Sequence, residues 1–241
     1  MTAIIVLTNL KIMTRERDRM SAYLSIPRMF AVLLMFVAVL TIMGCQSAYY
    51  GAMEKFGYEK RDILVDRVSD ARDAQQEAKK QFESALQQFI AVTGFDGGDL
   101  QKQYENLKDE YESSEKKASV VHKRISDVEQ VAGDLFKEWE KELDQYTSQD
   151  LRRSSERQFR QTRGRYQQLI GAMKTAEKKL DPVLGAFRDR VLFLKHNLNS
   201  RAIASLRTER AKVEADISAL IRDMNKSIAE ADRFIGEMTP R

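Results

Sequence analysis

Residues 159–198 read FRQTRGRYQQLIGAMKTAEKKLDPVLGAFRDRVLFLKHNL. Apolar or small side chains recur there at Phe159, Thr162, Tyr166, Leu169, Met173, Ala176, Leu180, Leu184, Phe187, Val191, Leu194 and Leu198, in steps of three and four. That spacing keeps one face of an α-helix apolar and is the seam of a helix packed on other helices. Pro182 falls inside the seam; it has no N–H and disfavours helix at Asp181. Yet the phase runs unbroken from Leu180 through Leu184 to Phe187, which predicts a kink within one helix. The alternative is a true turn at Pro182, leaving a long last helix that overhangs a three-helix, spectrin-like packing. The helix count rests on this proline.

The same stepping runs outward in both directions. Upstream it takes in Leu64, Val68, Ala71, Gln75, Ala78, Phe82, Ala85, Phe89 and Val92. A second run goes from Leu100 through Tyr104, Leu107, Tyr111, Ser114, Ala118, Val121, Ile125, Val128, Ala132 and Leu135 to Trp139, then shifts to Leu143 and Tyr146. Downstream it continues with Leu206, Val213, Ile217, Leu220, Met224, Ile228, Ala231 and Ile235. Breaks are few. Thr93-Gly94-Phe95-Asp96-Gly97-Gly98-Asp99 is a loop, with Gly94 expected as a C-terminal cap and Asp99 as an N-cap. Thr147 to Asp150 and Asn197 to Ser200 are further turns, capped by Ser148 or Asp150 and by Ser200, with αL-tolerant Asn in the latter. The expectation is an all-α, elongated antiparallel bundle or coiled coil of about four long helices, near 49–93, 99–146, 149–197 and 200–237.

Composition agrees with long helices. Charged residues make up 32% of the chain, and there are 3 Pro and 11 Gly in 241 residues, too few for the punctuated turns of a barrel or sandwich. One Cys excludes an internal disulfide and a Cys-based zinc site, and two His make a His-rich metal site improbable. Gly97-Gly98-Asp99 lacks the G-K-[ST] ending of a phosphate-binding loop, which disfavours an ATPase. No G-x-S-x-G, H-E-x-x-H or calcium-loop pattern is present, so no catalytic residue, metal or cofactor is expected. His122 beside Val121 reads as a flanking surface residue. Trp139, Phe136 and Tyr146 read as core. Tyr49, Tyr50, Phe56 and Tyr58 suit either a headgroup region or the bundle end.

The first 45 residues carry an address. Met29 to Met43, MFAVLLMFVAVLTIM, contains one polar side chain, Thr41, and is too short for a membrane span of about 20 residues. Arg15, Arg17, Arg19 and Arg28 precede it, so 1–44 reads as a signal peptide, with Met1, Met13 or Met20 as its start. Ile42-Met43-Gly44-Cys45 follows at once and resembles the lipobox of bacterial lipoproteins. The resemblance implies recognition of Ile42, Met43 and Gly44 by signal peptidase II, cleavage before Cys45, and diacylglyceryl and N-acyl groups on Cys45. Gln46 at the sorting position implies the periplasmic face of the outer membrane. Residues 45–50 would then form the lipidated end and a short tether, with the bundle spanning 51–241.

The residues from Cys45 onward hold 35 basic and 34 acidic side chains, unevenly placed. Residues 51–150 carry a net −8 and 151–241 a net +9. Complementary flanks between the two hairpins account for this division simply. A sharper reading fixes on Arg152, Arg153, Arg157, Arg160, Arg163 and Arg165. Arg153, Arg157 and Arg160 share a helix face that could meet lipopolysaccharide phosphates, peptidoglycan carboxylates or an acidic protein. The partners expected are a bilayer through Cys45 and a protein or second copy through the heptad seams, with no nucleic acid.

The stretches CQSAYYGAMEKFGYEKRDILVDRVSDARDAQQEA, FDGGDL, LRRSSERQFRQTR, DPVLGAFRDRVLFLKHNLNSRAIASL and IRDMNKSIAEADRFI together resemble a proteobacterial lipoprotein family, domain-of-unknown-function family 2959. The resemblance implies a helical, lipidated protein and carries no activity or substrate. The function expected is a lipid-anchored, non-enzymatic scaffold of the cell envelope. The alternative is a membrane-surface or cell-wall binding module using the basic half.

Overall fold

The computed structural model describes residues 60–239, which form four α-helices: α1 (Lys60–Thr93), α2 (Leu100–Leu143), α3 (Gln149–His196) and α4 (Ser200–Met238). The signal peptide, the Cys45 region and the expected start of the first helix at 49 lie outside the described residues. Pro182 sits within α3, which continues to His196, so the four-helix expectation holds and the three-helix alternative does not. Its ring lies on an exposed face, while Leu180, Val183 and Leu184 are buried, so the missing N–H costs one bond on the solvent side and no core contact.

Each helix packs on two neighbours: α1 on α2 and α4, and α3 on α2 and α4. Cross-helix bonds make every neighbouring pair antiparallel. Lys60 reaches Glu138 (2.7 Å) and Lys117 reaches Glu77 (2.6 Å) between α1 and α2. Lys174 reaches Glu129 (3.2 Å) between α2 and α3. Lys179 reaches Asp223 (2.6 Å) between α3 and α4, and Arg72 reaches Asp232 (3.1 Å) between α1 and α4. The loops at 94–99 and 197–199 therefore share one end. The turn at 144–148 shares the other with Lys60 and Met238.

The core follows the heptad seams. All nine α1 seam positions from Leu64 to Val92 are buried, Gln75 included. On α2 the buried stripe runs from Tyr104 to Leu135, with Leu100, Tyr111 and Trp139 half-buried and Leu143 buried; Tyr146 is exposed, so the seam stops at Leu143. On α4 the buried register is Met224, Ser227, Ala231, Phe234 and Met238, one residue off the expected Ile228 and Ile235. Phe234 is the largest side chain there, and burying it turns Ile235 half outward. Leu198, expected in the α3 seam, lies exposed in the loop.

The helix ends differ in detail from the expected caps. Gly98, at φ +116°, is the glycine with positive φ among the described residues, so Gly94 does not take the left-handed cap role. Instead the Thr93 hydroxyl donates to Phe89 O (2.9 Å), and Arg207 Nε of α4 donates to Thr93 O (2.9 Å), capping α1 from outside. Asp99 accepts from Lys102 N (3.0 Å) and Ser148 from Leu151 N (3.5 Å). Asn199, extended at φ −151°, caps α4 by accepting from Ala202 N (3.0 Å), the role expected of Ser200.

Candidate functional site

The basic stripe stands on the first third of α3, at the end of the unit that also holds Lys60 and Met238. Arg153, Arg157 and Arg160 are separated by four and three residues on α3 and face outward, all exposed. Arg153 and Arg157 take part in no ion pair among the described residues. Arg160 has only a long contact to Glu156 (3.9 Å) with a side chain 66% exposed. Arg152, by contrast, is held by Asp144 (3.1 Å) and Glu156 (3.3 Å). Arg163 lies over the Phe159 ring, 5.7 Å from its centroid, and Arg165 pairs with Glu237 (3.0 Å). The six arginines therefore divide: Arg153 and Arg157 form no ion pair among the described residues, Arg160 has one long contact, and Arg152, Arg163 and Arg165 are engaged within the bundle.

Beneath the stripe lies an aromatic cluster. Phe159 packs edge-on against Phe136 and Trp139 (5.8 and 5.7 Å), and Tyr166 tilts against Phe136 (5.4 Å). The Trp139 indole N–H donates to Ser155 Oγ (2.8 Å), which explains how a half-buried Trp is satisfied between α2 and α3. A groove of about 360 Å³ opens beside Gly133, walled by Phe136, Tyr166, Lys137 and Arg163. Burial pushes the Tyr166 phenol up to about 12, with Glu129 adding to the effect. It stays neutral and contributes a hydroxyl, not a base.

His122 is not the simple surface flank expected of it. Its Nδ1 lies 2.9 Å from Glu177 Oε1 and its Nε2 3.2 Å from Asp181 Oδ1, both on α3. Both partners are acceptors, so both ring nitrogens donate only in the imidazolium. Burial pushes the imidazole pKa down, but the two carboxylates outweigh it and raise it above 6.5. Lys174 closes the group, reaching Glu177 (3.0 Å) and Glu129 (3.2 Å). The two imidazole nitrogens are thus each spoken for by a different carboxylate, a bridge between helices and not a ligand set. Among the described residues no group of three or more His, Cys, Asp and Glu is placed to hold a metal ion.

Arg190 is a second residue that sequence reasoning passed over. It is buried, pairs with Glu209 (2.6 Å) and donates to Ala186 O, while its Nε has no partner. Arg190, one of two arginines between Phe187 and Val191, carried no signal of burial. Several pairs cross between the two halves: Glu129–Lys174 and Asp144–Arg152 join acids of the first to bases of the second, and Arg72–Asp232 and the His122 contacts run the other way. Lys60–Glu138, Lys117–Glu77, Lys179–Asp223 and Arg165–Glu237 lie within a half.

Cys45, Ile42, Met43, Gly44 and Gln46, together with Tyr49, Tyr50, Phe56 and Tyr58, lie outside the described residues. No helix among the described residues is long and apolar enough to cross a membrane. Residues 49–238 match the family described as "Protein of unknown function (DUF2959)". No curated protein and no solved structure matches the chain.

Proposed function

The chain belongs to the DUF2959 family, which assigns it no chemistry, and from its own residues we propose a lipid-anchored helical scaffold of the bacterial cell envelope that acts by contact and not by catalysis. The observation that carries this reading is the position of the chain's single Cys. It closes Ile42-Met43-Gly44-Cys45 directly after a fifteen-residue run with one polar side chain. Two or three acyl chains, at ~0.8 kcal/mol per buried methylene, hold a protein at a bilayer where one chain is marginal. Fifteen peptide steps from Cys45 to Lys60 limit the reach of that tether to ~50 Å. Beyond it α3 alone extends through 48 residues, about 70 Å at 1.5 Å per residue. The periplasmic face of the outer membrane is the proposed location, from Gln46.

The test is palmitate labelling in growing cells with fractionation of the envelope. Label and membrane association present in the wild type and absent from Cys45→Ser are the expected result. Label that persists in Cys45→Ser overturns the reading.

A second reading has its own support: Arg153 and Arg157 project from α3 with no ion partner among the described residues. Three outward cations on one face suit phosphates of lipopolysaccharide or carboxylates of peptidoglycan. Reversing Arg153, Arg157 and Arg160 to Glu should weaken retention on cell-wall or anionic-vesicle preparations while leaving helicity and melting temperature unchanged. Unchanged retention would sink it.

A further inference from the structure

The last third of α3 is apolar on two sides. Val183, Leu184, Phe187, Val191 and Leu194 are buried in the bundle. Leu192 and Phe193, 44% and 40% exposed, stand on either side of the outward midline, with exposed Pro182 and Gly185 in the same stripe. Two large apolar side chains that face solvent among charged neighbours, opposite the buried stripe, offer a second contact. Gly185 lies in open space, where a Cβ placed on it would meet nothing within 4 Å, so a side chain from outside can approach the helix backbone there. At the centre of the stripe Arg188 and Asp189 form no ion pair among the described residues, although α2 brings Tyr111 and its partner Glu115 up to the Arg188 side.

The charge pattern selects the occupant. Asp181 and Asp189 offset Arg188 on this face, so it offers an anionic bilayer no net attraction. The order Asp181, Gly185, Arg188, Asp189, Leu192, His196 is instead complementary to its own reverse. We propose that a second copy of this chain docks antiparallel on this face, about a two-fold axis passing between Arg188 and Asp189. The arrangement is isologous, so each contact occurs twice. Arg188 meets Asp189 of the second copy, Leu192 packs over its Gly185, where no side chain stands in the way, and His196 comes opposite its Asp181, whose side chain is 78% exposed beyond its contact with His122. The heptad seams are consumed inside each bundle, so this face, not a seam, joins the copies. The biological use of the dimer rests on the scaffold reading, while the contact stands on α3 alone.

Sedimentation of the full chain carrying Cys45→Ser tests the contact without a lipid to drive association. The expected result is a dimer that persists in Cys45→Ser, whether or not the Cys45 protein takes up palmitate in a parallel labelling. Leu192→Glu with Phe193→Glu should give a monomer of unchanged helicity. Arg188→Asp and Asp189→Arg should each weaken dimerisation at least tenfold, and the two together should restore it. The charge exchange decides the matter if the Glu pair fails to fold. A monomer at every concentration, a dimer indifferent to these changes, or a photo-crosslinker at Leu192 that captures only lipid or a different protein would overturn the proposal, and would do so without touching the assignment of Cys45.

Discussion

At the scale of single residues, His122 has the most conditional environment among the described side chains. Its two carboxylate partners on α3 hold the imidazolium, so its folded-state pKa lies above the ordinary 6.5. A group raised in this way contributes its full stability below pH 6.5 and loses it as pH rises through the folded-state value. The side chain is 35% exposed, so solvent screening keeps the contribution under ~1 kcal/mol. The melting temperature of the wild type should therefore exceed that of His122→Gln at about pH 5.5, and the gap should close by about pH 8.5. A gap that widened with pH would contradict the geometry. Nothing near His122 in sequence announced this: Glu177 and Asp181 lie 55 and 59 residues away, and only the α2–α3 pairing brings them together.

Elements repeat the lesson at larger scale. Within α3, Pro182 deprives the Lys178 carbonyl of its helical donor, yet the seam phase on both sides keeps the helix whole. Pro182→Ala restores that bond, and part of the gain is offset by the greater freedom of the unfolded chain. A net stabilisation of about 1–2 kcal/mol is expected, read as a raised denaturant midpoint with unchanged slope. A lowered midpoint would mean that the proline's restriction of the backbone is worth more than the missing hydrogen bond. The α1 seam was legible in full because its phase holds unbroken from Leu64 to Val92, and apolar neighbours such as Ile63 and Ala74 widen the buried stripe without shifting it. On α4 two registers compete, Ile228 and Ile235 against Ser227 and Phe234. Apolarity alone favours the isoleucines, while the bulk of Phe234 and Met238 decides for the other. The caps were legible where a carboxylate began a helix, as at Asp99. They were not where the partner came from another helix, as Arg207 does for Thr93. Of the candidate site, the free cations Arg153 and Arg157 could be read from their outward spacing, but which arginines were already engaged could not.

Across the whole bundle, one core level brings together two fully buried polar side chains, Gln75 and Ser227. The Arg72–Asp232 and Lys117–Glu77 pairs set Gln75 of α1 level with Ser227 of α4 and Ala118 of α2. Gln75 and Ser227 are fully buried, and both Gln75 amide atoms and Ser227 Oγ lack a hydrogen-bond partner in the structure. Each such group costs about 1–3 kcal/mol when left unmade. Gln75→Leu, of similar volume, should therefore raise the denaturant midpoint by about 1–3 kcal/mol in stability. A fall would mean that ordered water satisfies the layer.

The pairing of Arg61 with the Met238 carbonyl places both ends of the described chain side by side, away from the loops at 94–99 and 197–199. That placement gives the bundle two mechanical responses. A load applied at Lys60 and resisted at the far loops runs along the helix axes and shears every core layer at once. A load between Lys60 and Met238 peels α1 from α4 layer by layer, and the unfolding rate that governs forced opening should be far greater in the second case. A tether at the Lys60 end and a grip near the far loops would load the molecule in its strong direction.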